Sequence, residues 1–276
     1  MTTDIDGTPL ASFEAKWASV HPELRLALDF VDVRQRPAYA AFACLVHELE
    51  HAAFGIREAQ PAAVKLQWWG EELARAAAHA ARHPLTRALV AHPGFDGIAP
   101  ARWYEAIGGA IAQRDAEPAA DTPALLQTYA SLHLPLAAIE ADLFAPIDAQ
   151  ALARVRGVSR ALRETAALAD ALRDGRMPLP LDLLARHRLA RGDLVQHSQA
   201  QAGALRDWLE RLRADSRAIA SVRSGPLGAA SASADLWRMG VAARNSDPLA
   251  ALQASLERLP LRASWAAWRA ARRKSL

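Results

Sequence analysis

The chain has 276 residues, a formal net charge of +3 at pH 7 and a pI near 9.4. Hydrophobic residues make up 51% and charged residues 23%, which is typical of a folded globular protein and excludes a disordered chain. The positive excess is small, and the sequence has no glycine-rich phosphate loop or nucleic-acid-binding module, so no nucleic-acid partner is expected.

The single cysteine, Cys44, excludes an internal disulfide and is expected to be a small buried hydrophobe. The first residues include acids and do not form a signal-peptide pattern. No apolar run approaches the ~20 residues that a membrane-spanning helix requires. Together these features predict a cytoplasmic location.

Apolar residues recur with helical periodicity, and no long segment alternates as a β-strand does. In the first half, helices are predicted over residues 13–30, 37–54, from 60 onward, 103–113 and 124–144. In the third helix, Leu66, Trp69 and Leu73 have core spacing. Glu71 and Glu72 are expected to face solvent.

In the second half, helices are predicted over residues 149–173, 195–222 and 260–274. Gly175 suits the left-handed end of the first of these helices, and the proline-rich segment 175–181 is expected to be a loop. A Gly/Ser/Ala-rich break is expected at 224–233. No low-complexity linker or repeat divides the chain, which predicts one all-α domain over residues 1–276.

The C-terminal helix 260–274 is strongly basic. No acid follows Glu257, and residues 258–274 include Arg258, Arg262, Arg269, Arg272, Arg273 and Lys274 around Trp265 and Trp268. This pattern fits peripheral contact with an anionic membrane surface. It also fits a terminal helix whose tryptophans pack into the core and whose arginines are solvated, and this second interpretation is favoured.

The segment His47-Glu48-Leu49-Glu50-His51 places two histidines four residues apart, on one face of a helix. The spelling His-Glu-x-x-His matches the zinc-peptidase signature, in which two imidazoles bind the metal and the glutamate is the base. A third ligand would be needed, and Glu71 and Glu72 lie at a suitable sequence distance. However, the 46 residues before His47 look helical, whereas such peptidases place a β-sheet there.

The order of several segments resembles the squalene/phytoene synthase family. These segments are AYAAFACLVHELEH, KLQWWGEEL, HPLTRAL, LLQTYASLHLPL and ALRETAALADALRDGRMPLPLDLL. KLQWW with HPLTRAL resembles the family's tryptophan-pair helix and the His-Pro turn behind it, and GRMPLPLDLL resembles its Gly-Arg-x-x-Leu-Pro loop. The resemblance is clearest over residues 30–190.

The resemblance implies an isoprenoid-synthase-like fold, a helical bundle around a central cavity. Family enzymes join two prenyl diphosphates and use two Asp-x-x-x-Asp motifs to hold Mg²⁺ against the diphosphates. Mg²⁺ requires hard oxygen ligands, and the bound ions stabilise the charge of the leaving diphosphate. The two motifs therefore decide whether the chemistry is expected here.

Both motifs are altered in this chain. The first aligns with His47 to His51, so that histidines replace both aspartates and the site would favour a transition metal over Mg²⁺. For the second, alignment without a gap places Ala167 and Ala171 at the acidic positions. A three-residue insertion instead places Glu164 and Leu168 there, and Asp170 and Asp174 form a displaced Asp-x-x-x-Asp pair next to Arg176.

Three interpretations of the histidine pair remain open: a zinc peptidase, a transition-metal site, or two polar histidines beside an altered cavity that binds no metal. In the metal site, His47 and His51 would combine with Glu164, Asp170 or Asp174. The third interpretation, with no cofactor, is favoured. Mg²⁺ is expected only if the chain is catalytically active.

The sequence therefore predicts a squalene/phytoene synthase-like protein without condensing activity, which binds a prenyl or other lipid-like ligand or a protein partner. The resemblance supports this role because divergent family members, including complex I assembly factors, have also lost the aspartates. The alternatives are an active prenyl-diphosphate transferase with rearranged ligands and, as a minority interpretation, the metallopeptidase.

Overall fold

The computed structural model describes residues 9–144, 147–219 and 223–272, and every regular element in these ranges is helical. The first helices are α1 (Pro9–Val20), α2 (Pro22–Ala27), α3 (Arg36–Glu50), α4 (Ala59–Ala77), α5 (Pro84–Val90), α6 (Pro100–Ala112) and α7 (Thr122–Phe144). They are followed by α8 (Ala149–Ala166), α9 (Leu168–Arg173), α10 (Leu181–His187), α11 (Gln199–Ile219), α12 (Gly225–Ala242), α13 (Pro248–Leu256) and α14 (Leu261–Arg272). A π-helical turn, His51–Gly55, continues α3, and 3-10 turns cover Leu28–Phe30, Phe95–Gly97 and Arg191–Val195. The predicted all-α class is confirmed.

Two of the predicted helices are divided. The segment 13–30 is split between α1 and α2 because Pro22 cannot continue the hydrogen bonding of α1 and instead occupies the first turn of α2. The segment 149–173 is split at Ala167, whose φ of −93° and ψ of 26° lie outside the helical range. Residues 220–222 and 273–274 of two predicted helices lie outside the described residues.

The break predicted at 224–233 is wrong, because α12 begins at Gly225 and runs through this segment. Gly225 has a φ of +68°, which glycine adopts without strain, and Pro226 follows in the first turn. A Cβ atom on Gly228 would lie 2.8 Å from Cδ1 of Leu152 on α8. The small residues therefore allow α12 to pack closely against α8, and they do not interrupt the helix.

α3 lies at the centre of the bundle, in contact with α1, α5, α6 and α7. Its Phe42, Leu45 and Leu49 side chains are at most 1% exposed, and each burial contributes about 2 kcal/mol of transfer free energy. The Tyr39 ring stacks on Phe144 at 4.1 Å, and its hydroxyl donates a 2.6 Å hydrogen bond to Glu140 on α7. This packing holds the predicted first-motif helix rigidly against the bundle.

Cys44, on α3, is buried as predicted and 1% exposed. Burial raises the pKa of its thiol to about 12, with smaller contributions from Glu14 and Glu48. The thiol is therefore protonated at neutral pH, as expected for a structural cysteine.

The prediction that Glu72 faces solvent is wrong, whereas Leu66, Trp69 and Leu73 are buried as predicted. Oε1 of Glu72 accepts hydrogen bonds from the backbone N–H groups of Arg82 and His83 and from the Thr86 hydroxyl, at 2.6–2.8 Å. Arg82 and His83 directly precede the first turn of α5, where backbone N–H groups have no acceptor within the helix, so this buried carboxylate supplies the acceptor for them.

The Glu72→Gln variant is expected to lose about 1–3 kcal/mol of unfolding free energy at pH 7. Burial by itself raises the pKa of Glu72, but the hydrogen bonds from His83, Thr86 and Arg82 outweigh it and lower the pKa to about 2. Because the folded pKa lies below the usual 4.5, this stabilisation is complete above pH 4.5 and is lost as the pH falls towards 2. Urea denaturation at pH 7 and pH 3 measures the unfolding free energy. Between pH 7 and pH 3, the variant is expected to lose less of it than the wild type.

The matched control is Glu71→Gln, which changes the neighbouring carboxylate in the same way. The Glu71 side chain is 54% exposed, and its two contacts, a 3.9 Å ion pair with Arg75 and a 3.3 Å hydrogen bond from Gln67, lie at the surface, so its replacement is expected to change stability by less than about 0.5 kcal/mol. Equal losses in the two variants would contradict the capping role of Glu72.

Candidate functional site

A cleft with a volume of about 440 Å³ opens between the C-terminal end of α3 and the segment from α8 to the loop after α9. One wall carries His47, Glu50, His51 and Phe54, and the opposite wall carries Arg160, Arg163, Glu164, Asp170, Asp174 and Arg176. The two segments that resemble the family's motifs therefore face each other across one cleft.

The π-helical turn His51–Gly55 shapes the first wall. The residues that line the cleft from this wall are 47, 50, 51, 54 and 55, a spacing that keeps them on one helical face through the turn. A Cβ atom on Gly55 would lie 2.8 Å from Cδ2 of His51, so glycine leaves the room that the His51 ring occupies. π-helical turns of this kind are common at functional sites.

Glu48 does not face the cleft. Its carboxylate pairs with Lys16 of α1 at 2.8 Å and with Lys65 of α4 at 2.6 Å, and the side chain is 6% exposed. Burial raises the pKa of Glu48, but the two lysines outweigh it and lower the pKa to about 2. Glu48 is thus a permanently charged structural group on the other side of α3.

This arrangement argues against the zinc-peptidase interpretation, which needs Glu48 beside a metal held by His47 and His51. The proposed third ligands are also occupied elsewhere. Glu72 accepts the hydrogen bonds at the start of α5, as described above. Glu71 lies on the exposed face of α4 and pairs with Arg75.

The carboxylates of the second wall are each paired with arginine. Glu164, 3% exposed, pairs with Arg160 one turn before it and with Arg176 from the loop that follows Gly175. Gly175 has a φ of +84°, as predicted for a left-handed helix end, and this turn directs Arg176 back towards α8.

The two aspartates nearer the cleft opening are also neutralised. Asp174 lies 3.3 Å from Nε of Arg57 and 3.5 Å from Nη2 of Arg176. The exposed Asp170 pairs with Arg173. Both aspartates lie in the cleft, as the displaced-motif alignment requires, but neither is free of a cation.

The other two second-motif alignments place only part of each pair in the cleft. Ala167 lines it but Ala171 is buried, and Glu164 lines it but Leu168 is buried. The physical reason is the interruption of the helix at Ala167, which ends the regular spacing between the end of α8 and the start of α9.

Glu50 is a cleft residue that the sequence analysis did not select. Its carboxylate lies 3.7 Å from Nδ1 of the buried His133, and it accepts no hydrogen bond within the described part of the chain. Burial raises the pKa of Glu50, but His133 and the arginines at 160, 163 and 156 outweigh it, so the group stays ionised at neutral pH. Its position three residues after His47 was the signal that could have identified it.

His21 is a second such residue, brought in by the turn between α1 and α2. Its ring meets that of His47 edge-to-face at 5.4 Å, and its Nδ1 accepts a 3.2 Å hydrogen bond from Nη2 of Arg163. Burial and the nearby arginine hold the pKa of His21 well below 6.5, so the ring is neutral and carries its proton on Nε2. Burial likewise lowers the pKa of His47 and of His51.

A smaller cavity of about 80 Å³ lies beneath the cleft. It shares His21, His47, Glu50, Arg160 and Arg163 with the cleft and is otherwise lined mainly by apolar side chains, including Trp17, Val155 and Leu227. The site is therefore a polar opening above a small apolar chamber.

No group of three or more His, Cys, Asp or Glu side chains in the described ranges is arranged to hold a metal ion. The His47 and His51 rings lie 6.5 Å apart, and Nδ1 of His51 faces Nζ of Lys65 at 3.5 Å. A transition metal at this pair remains a prediction from the sequence.

The comparisons with known proteins show the family and the fold. The model of the squalene/phytoene synthase family matches residues 19–269. The chain belongs to this family. None of the curated proteins compared with the chain matches it.

Two solved structures show the fold of the family. The squalene synthase HpnC from Alicyclobacillus acidocaldarius is 18% identical, with a TM-score of 0.62 over 89% of this chain and 93% of that one. A dehydrosqualene synthase in complex with ligand is 13% identical, with a TM-score of 0.65 over 89% and 94%. These likenesses confirm the predicted isoprenoid-synthase-like bundle.

Proposed function

We propose that this member of the squalene/phytoene synthase family does not condense prenyl diphosphates and instead binds, in its cleft, a prenyl or other lipid-like ligand with an anionic head group. The observation that carries the proposal is the pairing of Glu164, Asp170 and Asp174 with arginines. The guanidinium groups occupy the carboxylates that this wall of the cleft could offer to Mg²⁺.

Charge and coordination chemistry support this proposal. Mg²⁺ needs about six oxygen ligands in near-octahedral geometry, and a carboxylate held by a charge-assisted hydrogen bond to arginine is a poor donor to it. The opposite wall offers neutral histidines at 47 and 51, and Glu50 is the carboxylate there. Arginines are well suited to hold an anionic head group directly, since their planar groups match phosphate oxygens.

The volume of the inner cavity points the same way. Ligand pockets usually measure about 300–1,000 Å³, and the chamber beneath the cleft measures about 80 Å³. A chamber of this size favours one ligand over the two prenyl chains that a condensing enzyme must hold side by side. The cleft of about 440 Å³ is large enough for one ligand.

The decisive experiment incubates the protein with farnesyl or geranylgeranyl diphosphate and Mg²⁺ and analyses the products. We expect no squalene and no phytoene. Titration calorimetry with farnesyl diphosphate is expected to show binding in EDTA within about twofold of that in Mg²⁺, because arginines replace the metal. Formation of either product, or binding that requires Mg²⁺, would favour the alternative of an active transferase with rearranged ligands.

The same titration tests the site when Arg176→Met is compared with Arg102→Met. Arg176 lies in the cleft, whereas Arg102 forms a surface pair with Asp142 on α6 and α7. We expect Arg176→Met to weaken binding by about tenfold, the effect of losing one charge-assisted contact, and Arg102→Met to leave it unchanged. An assembly role with a protein partner, and the cytoplasmic location predicted from the sequence, are compatible with this function.

A further inference from the structure

α14 buries small side chains and exposes large apolar ones, the reverse of an ordinary terminal helix. Its buried positions are alanines, Ala263 and Ala267, which pack against α12. Leu261, Trp265 and Trp268, at the i, i+4, i+7 spacing of one helical face, are 82%, 58% and 37% exposed. The favoured expectation that the tryptophans pack into the core is therefore wrong.

Of the six other tryptophans, four are buried, Trp237 is partly exposed and Trp68 on α4 is 40% exposed. Trp17, Trp69, Trp103 and Trp208 are at most 2% exposed. An indole left in water forgoes one of the largest hydrophobic gains that a side chain offers. Two exposed tryptophans on one short helix, next to the 40% exposed Leu259, therefore indicate a surface that is covered by something else.

The charge around this face is positive. Arg262, Arg269 and Arg272 are exposed, and the guanidinium groups of the last two lie over the Trp265 and Trp268 rings, at 4.5 and 4.3 Å from the ring centroids. No Asp or Glu follows Glu257 in the chain.

The elements packed against α14 do not restore negative charge. These elements are α12, α2 and the turn Leu28–Phe30. Their acids are already engaged: Glu23 and Asp235 are buried with Arg238, and Asp29 pairs with Arg25 and Arg36. A negatively charged surface is the complementary partner.

We propose that the exposed face of α14, formed by Leu261, Arg262, Trp265, Trp268, Arg269 and Arg272, docks onto an anionic phospholipid membrane. Tryptophan is the side chain most enriched at the membrane interface, where the indole ring lies among the head groups. Arginines beside it bind the lipid phosphates, and the helix lies parallel to the membrane plane. In the described part of the chain, no helix is long and apolar enough to cross a membrane, so contact through this surface would be peripheral.

The surface favours a membrane over a protein partner because of its size and composition. Stable protein interfaces bury about 800 Å² on each partner with a desolvated core, whereas this face is a single helix of 12 residues with arginines placed among its tryptophans. Mixed indole and guanidinium groups at one depth suit the boundary between acyl chains and phosphates.

The test is co-sedimentation of the full chain with vesicles of phosphatidylcholine containing 30% phosphatidylglycerol, and with vesicles of phosphatidylcholine alone. We expect binding to the anionic vesicles that weakens at least tenfold on pure phosphatidylcholine and decreases as salt is raised. The Trp265→Ser/Trp268→Ser variant and the Arg262→Gln/Arg269→Gln variant are each expected to lose about tenfold in partition coefficient.

The matched control is Trp68→Ser, which removes a tryptophan of similar exposure, 40%, from α4. It should leave vesicle binding unchanged, and circular dichroism should show all variants folded, since the substituted side chains are exposed. Absence of binding to the anionic vesicles at low salt would overturn the proposal. Equal vesicle binding by the wild type and both double variants would also overturn the proposal. A dimer in solution that the tryptophan variant abolishes would do the same, because it would assign the surface to a second copy of the chain.

Discussion

Gly109→Ala is expected to destabilise the protein by at least about 3 kcal/mol, or to prevent its folding. A Cβ atom at this position on α6 would lie 2.1 Å from the carbonyl oxygen and 2.6 Å from the carbonyl carbon of Ser131, and 2.9 Å from Cα of Leu132. All three atoms belong to the backbone of α7, which cannot rotate away as a side chain would. Urea denaturation measures the loss of unfolding free energy.

The neighbouring residue provides the control. Gly108 is on the same helix, and a Cβ atom there would meet nothing within 4 Å. Gly108→Ala is therefore expected to stabilise the protein by up to about 1 kcal/mol, the usual gain in helix propensity. Similar effects of the two substitutions would contradict the close crossing of α6 and α7.

The second large effect is expected for Arg238→Ala, at about 3–5 kcal/mol of unfolding free energy. Nη1 of Arg238 lies 2.9 Å from Asp235 on α12 and 3.2 Å from Glu23 on α2, and all three side chains are at most 2% exposed. The two carboxylates raise the pKa of Arg238 even though its burial lowers it. Removing the arginine leaves two buried carboxylates without their main partner, and thermal or urea denaturation would show the loss.

The control is Arg173→Ala, because Arg173 and Asp170 form an Asp–Arg pair with the same i, i+3 spacing at the surface. Their side chains are 66% and 63% exposed, so water solvates each partner when the other is removed. Stability is expected to change by less than about 1 kcal/mol. Equal effects at the two sites would show that burial does not determine the contribution of the pair.

The buried network extends to the proposed binding site. Arg163 lies 3.4 Å from Glu23 and 3.9 Å from Asp235, and it donates a hydrogen bond to His21. The neutral ring of His21 and the position of Arg163 in the cleft therefore depend on contacts with α2 and α12. The buried ion pairs that join α2, α8 and α12 therefore also fix the position of one arginine of the cleft.

Much of the fold was accessible from the sequence because helical signals are local. The periodicity of Leu66, Trp69 and Leu73 and the left-handed Gly175 each depend on residues within a few positions. The family resemblance placed both cleft walls for the same reason, since each of its motifs is a short segment.

The errors came from contacts between distant segments. Glu72 looked solvent-facing by periodicity, but the donors at the start of α5 required a buried acceptor. The small residues of 224–233 were predicted to interrupt the helix, but they allow α12 to pack closely against α8. Glu50 and His21 were not selected as cleft residues: the spacing of Glu50 from His47 was its local signal, whereas nothing in the segment around His21 indicates the cavity that it faces.

The sequence by itself determined the helical class, the family and the replacement of the first-motif aspartates by histidine, because these are properties of residues within one or two helical turns. Only the tertiary structure decided that Glu48 faces the lysines of α1 and α4, that arginines neutralise the second wall, and that the tryptophans of α14 face outward. Each of these features depends on the charged or apolar group that a helix distant in sequence places next to the side chain. That neighbouring group determines the free energy of burying or pairing the side chain.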